Sequence, residues 1–339
     1  MASDQRAATG GSRPRGESSP QAIAARSLTR TFKGGIEAVR GIDLAVAEGE
    51  VFGFLGPNGA GKTTTVRMLC TLLPPTSGSA TVAGLDVVDD AAGVRRRIGV
   101  ALQEIGLDPV QTGRELLELQ CGLYGITGRR ARERTNELLR LVGLTDAAER
   151  RTKTYSGGMK RRLDLATALV HSPEVLFLDE PTTGLDPASR LAIWEETRRL
   201  NASGATVFLT TQYLEEADKL CDRLAIIDGG RIVAEGTPEE LKGEMGHDVV
   251  SVSLNGADAV ATKAALTGLR GLERVVAQSD ALALYVEDGA ALIAEIVRRL
   301  DRDGLRVGAI AVARPSLDDV FLKATGRRLE GAVQEEEQT

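Results

Sequence analysis

The chain has 339 residues, 42% hydrophobic and 27% charged, which gives room for about two folded domains and excludes a fibrous or wholly disordered protein. Lys and Arg number 42 against 48 Asp and Glu, a net charge of −6, so overall charge gives no support to a nucleic-acid binder. Three isolated cysteines support neither a disulfide framework nor a zinc site and suit a reducing cytoplasm, and two histidines exclude a multi-histidine metal site.

Residues 1–21 are rich in Ser, Gly, Pro and Arg without periodicity and are expected to form a disordered tail. They hold no hydrophobic signal core, and no apolar stretch of the chain is long enough to span a membrane. Residues 23–32 read as a strand, Lys33-Gly34-Gly35 as a turn, and 42–46 as a second strand. The apolar run 51–55 reads as a buried strand. It leads into Gly56-Pro57-Asn58-Gly59-Ala60-Gly61-Lys62-Thr63, which fits the phosphate-loop pattern G-x-x-x-x-G-K-[ST]. A helical pattern follows, with Val66, Leu69, Leu72 and Leu73 on one face. The glycines let the backbone curl and aim N–H groups inward, and the helix N-terminus adds its positive end. Lys62 would reach the β- and γ-phosphates, and the Thr63 hydroxyl would ligate Mg²⁺; Thr64 completes the nucleotide-binding run. The rival reading is a Gly-rich turn with a chance Lys.

Pro74–Gly78 breaks the chain, and strands are expected at 80–82 and 98–102. From 108 to 151 the pattern is helical, with Leu116, Leu117, Leu119 and Leu123 on one face and Leu138, Leu139, Leu141 and Val142 on another. This predicts a helical insertion, about 108–165, in an otherwise α/β domain. Tyr155-Ser156-Gly157-Gly158-Met159 opens a helix at 160–171. The apolar run 175–178 reads as a central parallel strand ending in Asp179-Glu180. A helix at 187–200, strand at 206–210, helix at 214–220 and strand at 223–227 extend a largely parallel sheet, and Thr237-Pro238 starts a short helix. After Gly246 the order becomes β-α-β-β-α-β, which is ferredoxin-like. Ser316 and Asp319 form a capping box for a last helix with an apolar stripe of Leu317, Val320, Phe321 and Ala324, ended by Gly326. The expected division is 22–245, then 246–326, then a disordered acidic tail at 327–339.

Two further pieces carry chemistry. Asp179 at a strand's end can hold Mg²⁺ through water, and Glu180 can orient or deprotonate an attacking water; two solvated acids are the bland reading. Ser156-Gly157-Gly158 opens a helix and so forms a second anion site. Two phosphate-facing helix starts in one chain are most simply explained if each completes the other's site across a twofold dimer. The bland reading is an N-cap with a flexible turn.

Gly56–Thr63, Gln103, Tyr155–Met159, 175–180, Gly184-Leu185-Asp186 and Thr210-Thr211-Gln212 stand in the order of an ABC-transporter ATP-binding subunit, which the chain resembles over about residues 23–241. The resemblance implies a P-loop ABC ATPase domain of mostly parallel sheet with antiparallel β and helical subdomains, using ATP and Mg²⁺. It implies that Phe32 stacks on adenine and that Gln103 links Mg²⁺ and the attacking water to the membrane partner. Ser156, Gly157 and Gly158 would contact the opposite protomer's γ-phosphate, and Asp186 would couple the two sites. The helical insertion would receive the membrane subunit's coupling helices. Three positions depart from the family pattern: Tyr155 replaces Leu, Met159 replaces Gln, and Gln212 replaces a γ-phosphate-sensing His. Gln212 can still bridge by hydrogen bonds but cannot titrate.

Thr210-Thr211-Gln212-Tyr213-Leu214-Glu215-Glu216, the C-terminal unit and Leu317-Asp318-Asp319-Val320-Phe321-Leu322 resemble the daunorubicin/doxorubicin-resistance type of exporter ATPase. That implies a homodimeric, peripheral ATPase at the cytoplasmic face of the membrane, paired with a separate permease that holds an anthracycline-like drug. In that branch the C-terminal region bears on subunit assembly, although the last helix could instead pack on its own domain. Lipid or polysaccharide export, and a non-transport ABC ATPase acting on nucleic acid or ribosomes, are the rivals; the chain has no zinc spacing and one ATPase unit, against the latter.

Overall fold

In the computed structural model, residues 20–244, 248–254, 258–277, 280–286, 288–306, 308–313 and 315–329 are described. The long strands β1 (Gln21–Phe32) and β2 (Ile36–Ala47) form an antiparallel hairpin. Gly34 and Gly35 turn it at positive φ, a conformation cheap only for glycine. The buried strand β3 (Val51–Leu55) and the helix α1 (Lys62–Leu69) flank the phosphate loop. β4 (Ser77–Val82) and β5 (Leu85–Asp86) complete an antiparallel sheet in the order β2-β1-β4-β5. The short helix α2 (Ala91–Arg97), capped by Asp90, leads into β6 (Ile98–Ala101).

The helical insertion holds α3 (Gly113–Leu123), α4 (Gly128–Leu141) and α5 (Gly157–Ala168). A Thr112–Glu115 capping box starts α3, satisfying otherwise orphaned N–H groups. β7 (Val175–Asp179), α6 (Pro187–Ala202), β8 (Thr206–Thr211), α7 (Leu214–Leu220), β9 (Arg223–Asp228), β10 (Arg231–Gly236) and α8 (Pro238–Gly243) follow. The six-stranded sheet runs β10-β9-β3-β8-β7-β6, parallel from β9 through to β6, with β10 antiparallel at its edge. All residues of β3, β7 and β8 are buried, as strands covered on both faces must be. Phenylalanines are scarce, yet Phe52, Phe54 and Phe177 all pack on Phe208 with ring centroids 5.5–5.8 Å apart. Each such pair contributes about 0.5–1.5 kcal/mol beyond burial. They stiffen the strands whose carboxyl ends carry the site.

The third sheet is antiparallel. β11 (Asp248–Ser253), α9 (Ala259–Leu266), β12 (Leu272–Ala277), β13 (Ala281–Val286), α10 (Gly289–Arg302) and β14 (Ile310–Ala313) give the strand order β12-β13-β11-β14. With two helices in β-α-β-β-α-β sequence, this is the ferredoxin-like arrangement. α11 (Leu317–Thr325) ends at Gly326 in the left-handed region. Leu317, Val320 and Phe321 are buried, and the helix packs on α7, α8 and β10 of the first unit; Ala324 is exposed. Three of the four stripe residues are therefore covered within this chain, and by more than their own domain. The Tyr285 hydroxyl on β13 donates to Asp319 at 2.6 Å, tying the third sheet to the same helix.

Several expected bounds differ. α1 stops at Leu69, so Leu72 and Leu73 lie beyond it and Leu72 is 54% exposed. Leu119 and Leu123 face outward on α3, where only Leu116 and Leu117 of that set are buried. α5 ends at Ala168, before His171, and β14 starts at Ile310, later than 306. β1 begins at Gln21, inside the expected tail. At the other end Arg327 pairs with Asp228 at 2.5 Å and Leu329 is buried, so the first residues of the expected acidic tail are packed. Residues 1–19 and 330–339, with Gly246, lie outside the described residues.

Candidate nucleotide site

The site lies at the carboxyl ends of four adjacent parallel strands, where open α/β sheets place their ligands. The phosphate loop leaves β3, Gln212 follows β8, Asp179 and Glu180 end β7, and Gln103 follows β6 by a residue. Gly59 and Gly61 sit at φ 79° and 107°. A Cβ on Gly56 would come within 2.3 Å of the Ile227 carbonyl oxygen, and one on Gly61 within 2.5 Å of that of Ala38. Glycine is required there by backbone packing as well as by any ligand. Pro57, Asn58 and Ala60 complete the loop, which β9–β10 supports through Gly230 N–H donating to the Ala60 carbonyl at 3.0 Å.

Lys62 is buried, and its ammonium donates to the carbonyls of Gly56 at 2.7 Å and Pro57 at 3.1 Å. Its charge is met by Glu180 Oε1 at 3.1 Å, with side chains 3% and 5% exposed. These acceptors match the three donors of an ammonium group. Gln103 Nε2 and the Thr183 hydroxyl donate to the other Glu180 oxygen at 3.4 and 3.3 Å. Glu180 itself has φ 48°, a left-handed conformation uncommon for a non-glycine residue. Backbone strain of this kind clusters at functional sites. Asp179 is 1% exposed; its Oδ1 accepts from the Thr210 hydroxyl at 2.5 Å and from the Thr63 hydroxyl at 3.3 Å. Its Oδ2 is buried without a hydrogen-bond partner among the described residues. Thr64, half-buried, is the next residue of α1. Lys62, Thr63, Gln103, Asp179 and Glu180 thus form one connected cluster, with Gln212 on the neighbouring strand end.

Other expected residues stand apart from that cluster. Phe32 ends β1, 39% exposed, with the Arg30 guanidinium 4.9 Å from its ring centroid. Asp186 is exposed and caps α6 by accepting from Ser189 N–H at 3.0 Å; the hydrogen bonds from Ser189 hold its carboxyl below the usual range. Ser156 caps α5, accepting from Met159 N–H at 3.3 Å, and is exposed. A Cβ on Gly158 would meet the Ser189 hydroxyl at 2.5 Å, whereas one on Gly157 meets nothing within 4 Å. Among the described residues, no neighbour calls for glycine at 157. Tyr155 is buried, and its hydroxyl donates to the Ala147 carbonyl at 2.7 Å, anchoring this turn to the helical insertion.

Sequence reasoning gave Thr210 no role beyond its place in the strand-end motif and passed over Thr183 and Arg161. Arg161 on α5 is buried beside Asp179 and Pro181, and burial lowers its pKa from the usual arginine value. Asp164, one turn on, has its carboxyl pushed up to about 6 by burial, against the pull of Arg161. The i, i+3 spacing of Arg161 and Asp164 was a usable signal, but their burial was not visible in the sequence.

Residues 39–183 match the family model for ABC transporters, and 236–325 match that for the C-terminal domain of DrrA1-3-like ATP-binding proteins. The daunorubicin resistance ATP-binding protein DrrA2 of Streptomyces coeruleorubidus is 48% identical over 93% of this chain and 98% of its own length. The daunorubicin/doxorubicin resistance ATP-binding protein DrrA of Streptomyces peucetius is 46% identical over 93% and 97%. Among solved structures, a dimeric ATP-binding cassette in a post-hydrolysis state bound to ADP and Pi superposes with a TM-score of 0.59 at 28% identity, covering 63% of this chain and 98% of that one. The phosphate loop on β3, the paired carboxylates at the end of β7 and a likeness that runs through the C-terminal sheet agree, and the chain belongs to the ABC-transporter ATP-binding subunits, in the daunorubicin/doxorubicin-resistance family.

Proposed function

We propose that this chain is the ATP-hydrolysing subunit that drives efflux of a hydrophobic, anthracycline-like drug through a separate membrane permease. The observation that carries the proposal is near full-length similarity, C-terminal unit included, to relatives named for daunorubicin resistance. In it residues 22–245 act as the ATPase domain, with 246–326 as an accessory domain. Lys62 binds the β- and γ-phosphates, exchanging the Glu180 carboxylate for phosphate oxygens. That exchange frees Glu180, which with Gln103 orients and polarises the attacking water. Gln212 bridges to the γ-phosphate by hydrogen bonds; unchanged turnover in Gln212→Ala would remove it from this role.

The Thr63 hydroxyl and the unpartnered Asp179 Oδ2 suit Mg²⁺, with Gln103 within the same cluster. Among the described residues there is no cluster of three or more His, Cys, Asp or Glu side chains that could hold a metal ion. At nucleotide sites Mg²⁺ commonly takes one or two protein carboxylates together with the substrate's phosphates. When bound, Mg²⁺ neutralises charge developing on those phosphates.

Ser156, Gly157 and Gly158 reach the nucleotide of a second copy, and Asp186 couples the two sites. Exposure of Ser156 and the absence of an internal reason for Gly157 support that reading. Phe32 stacks on adenine with its exposed side. In this reading the subunit acts peripherally, at the cytoplasmic face of the membrane; no helix among the described residues is long and apolar enough to cross one. The groove lined by Leu72, Val100, Gln120 and Tyr124 is the seat for the permease's coupling helices. The test is drug tolerance in cells expressing the chain with its permease. Wild type raises anthracycline tolerance and Lys62→Ala does not; equal tolerance in both overturns the proposal.

A further inference from the structure

Arg161 follows Ser156 by just over one turn of α5, and its side chain leaves the insertion to enter the ATPase core. It is 4% exposed. Its Nε donates to the Pro181 carbonyl at 2.9 Å and Nη2 to the Asp179 carbonyl at 3.0 Å. Its Nη1 donates to the Leu102 carbonyl and lies 3.4 Å from Asp164 Oδ2. The three carbonyls belong to residues adjacent to two particular ones. Leu102 precedes Gln103, while Asp179 and Pro181 bracket Glu180. Glu180 is the strained residue, and its N–H is held from the other side by Thr210, through the carbonyl at 3.1 Å and the hydroxyl at 3.0 Å. Strain of this kind persists only where the surroundings over-determine it. A planar guanidinium can hold three carbonyls at fixed angles, whereas an ammonium is a point with a flexible stem.

We infer that Arg161 is a positioning residue for hydrolysis, transmitting the placement of the helix headed by Ser156-Gly157-Gly158 to Gln103 and Glu180. The inference rests on the reading of Glu180 and Gln103 as the water-handling pair. Engagement of the helix start by a second copy's nucleotide then reaches the carboxylate through one rigid side chain. Arg161 touches neither the phosphate loop nor Lys62 in its hydrogen bonds, so its loss should spare ATP binding.

The experiment compares wild type, Arg161→Met, Arg161→Lys and Glu180→Gln as full chains, measuring ATPase kcat and KM and the affinity for a fluorescent ATP analogue. The expected result for Arg161→Met is analogue affinity within about threefold of wild type and kcat lowered at least about tenfold, with Arg161→Lys between the two. A wild-type kcat, or kcat and affinity falling together with a lowered Tm, overturns the inference and leaves Arg161 a packing residue. If Arg161→Met does not fold, Arg161→Lys decides by the same split, and a kcat within about twofold of wild type overturns it. Glu180→Gln separates the two layers. Retained turnover there sinks the reading of Glu180, whereas lost turnover beside an unaffected Arg161→Met sinks this inference alone.

Discussion

The Lys62–Glu180 pair decides how the site rests and how it responds. Both side chains are buried, so removing one strands the other's charge. Lys62→Ala should therefore lower stability by about 3 kcal/mol, and the double variant with Glu180→Gln should recover part of that loss. Urea unfolding of both single variants and the double measures the coupling; additive losses would contradict the pairing. A second prediction concerns Asp164. Its folded pKa, about 6, lies above the ordinary carboxylate value of 3.8, so the folded state binds this proton more tightly. The group then favours folding most below about pH 4, and its contribution is lost as pH rises through about 6. Thermal unfolding of Asp164→Asn should show a flatter pH profile between about 4 and 6 than wild type; identical slopes would contradict it. The phosphate-loop glycines, Lys62, Asp179 and Glu180 were legible because chemistry and close backbone approach fix residue type and spacing. Arg161 was not, because its acceptors are mostly backbone carbonyls, which any sequence supplies.

Between elements, the link that matters is Glu216 on α7. Its Oε1 accepts from the Trp194 indole on α6 at 2.9 Å and from the Thr182 hydroxyl at 3.0 Å, and burial raises its pKa. α6 is capped by Asp186, α7 follows Gln212, and Thr182 follows Glu180 by two residues, so one carboxyl joins three segments of the site. Trp194 is the chain's single tryptophan and reports on this joint directly. Glu216→Ala should shift its emission and lower stability by about 1–3 kcal/mol, because the indole and hydroxyl lose a buried acceptor. Glu216→Gln, which keeps an amide oxygen, should retain most of the wild-type emission and stability; equal behaviour of the two variants would contradict the account. Helices and strands with strong periodicity were legible, but their ends and some faces were not. Leu72, Leu119 and Leu123 share a helical face with buried leucines by spacing and instead are exposed, Leu72 at the edge of a groove. β10, β5 and α2 are short or lie at an edge, and a few residues of pattern do not distinguish them from turns.

On the scale of the whole molecule, α11 makes one body of the ATPase core and the ferredoxin-like sheet. Phe321 lies fully buried in the cluster that also contains Leu220, Leu241 and Tyr285. Phe321→Ala should cost about 3–5 kcal/mol and destabilise both parts together in a single transition; separate melting of the C-terminal part would contradict the shared core. The β-α-β-β-α-β order was legible in alternating patterns, whereas α11's return to α7 and α8 was not, since a stripe of apolar residues does not name what it packs on. The central claim is that the site is half of a pair. Ser156 and Gly157 face outward, Asp186 is exposed, and the phosphate loop and its carboxylates lie elsewhere on the same chain. The direct measurement is the mass of Glu180→Gln by light scattering with and without saturating ATP and Mg²⁺. The account predicts a dimer that forms with ATP and persists because hydrolysis is blocked. A Glu180→Gln chain that binds ATP and stays monomeric would contradict it.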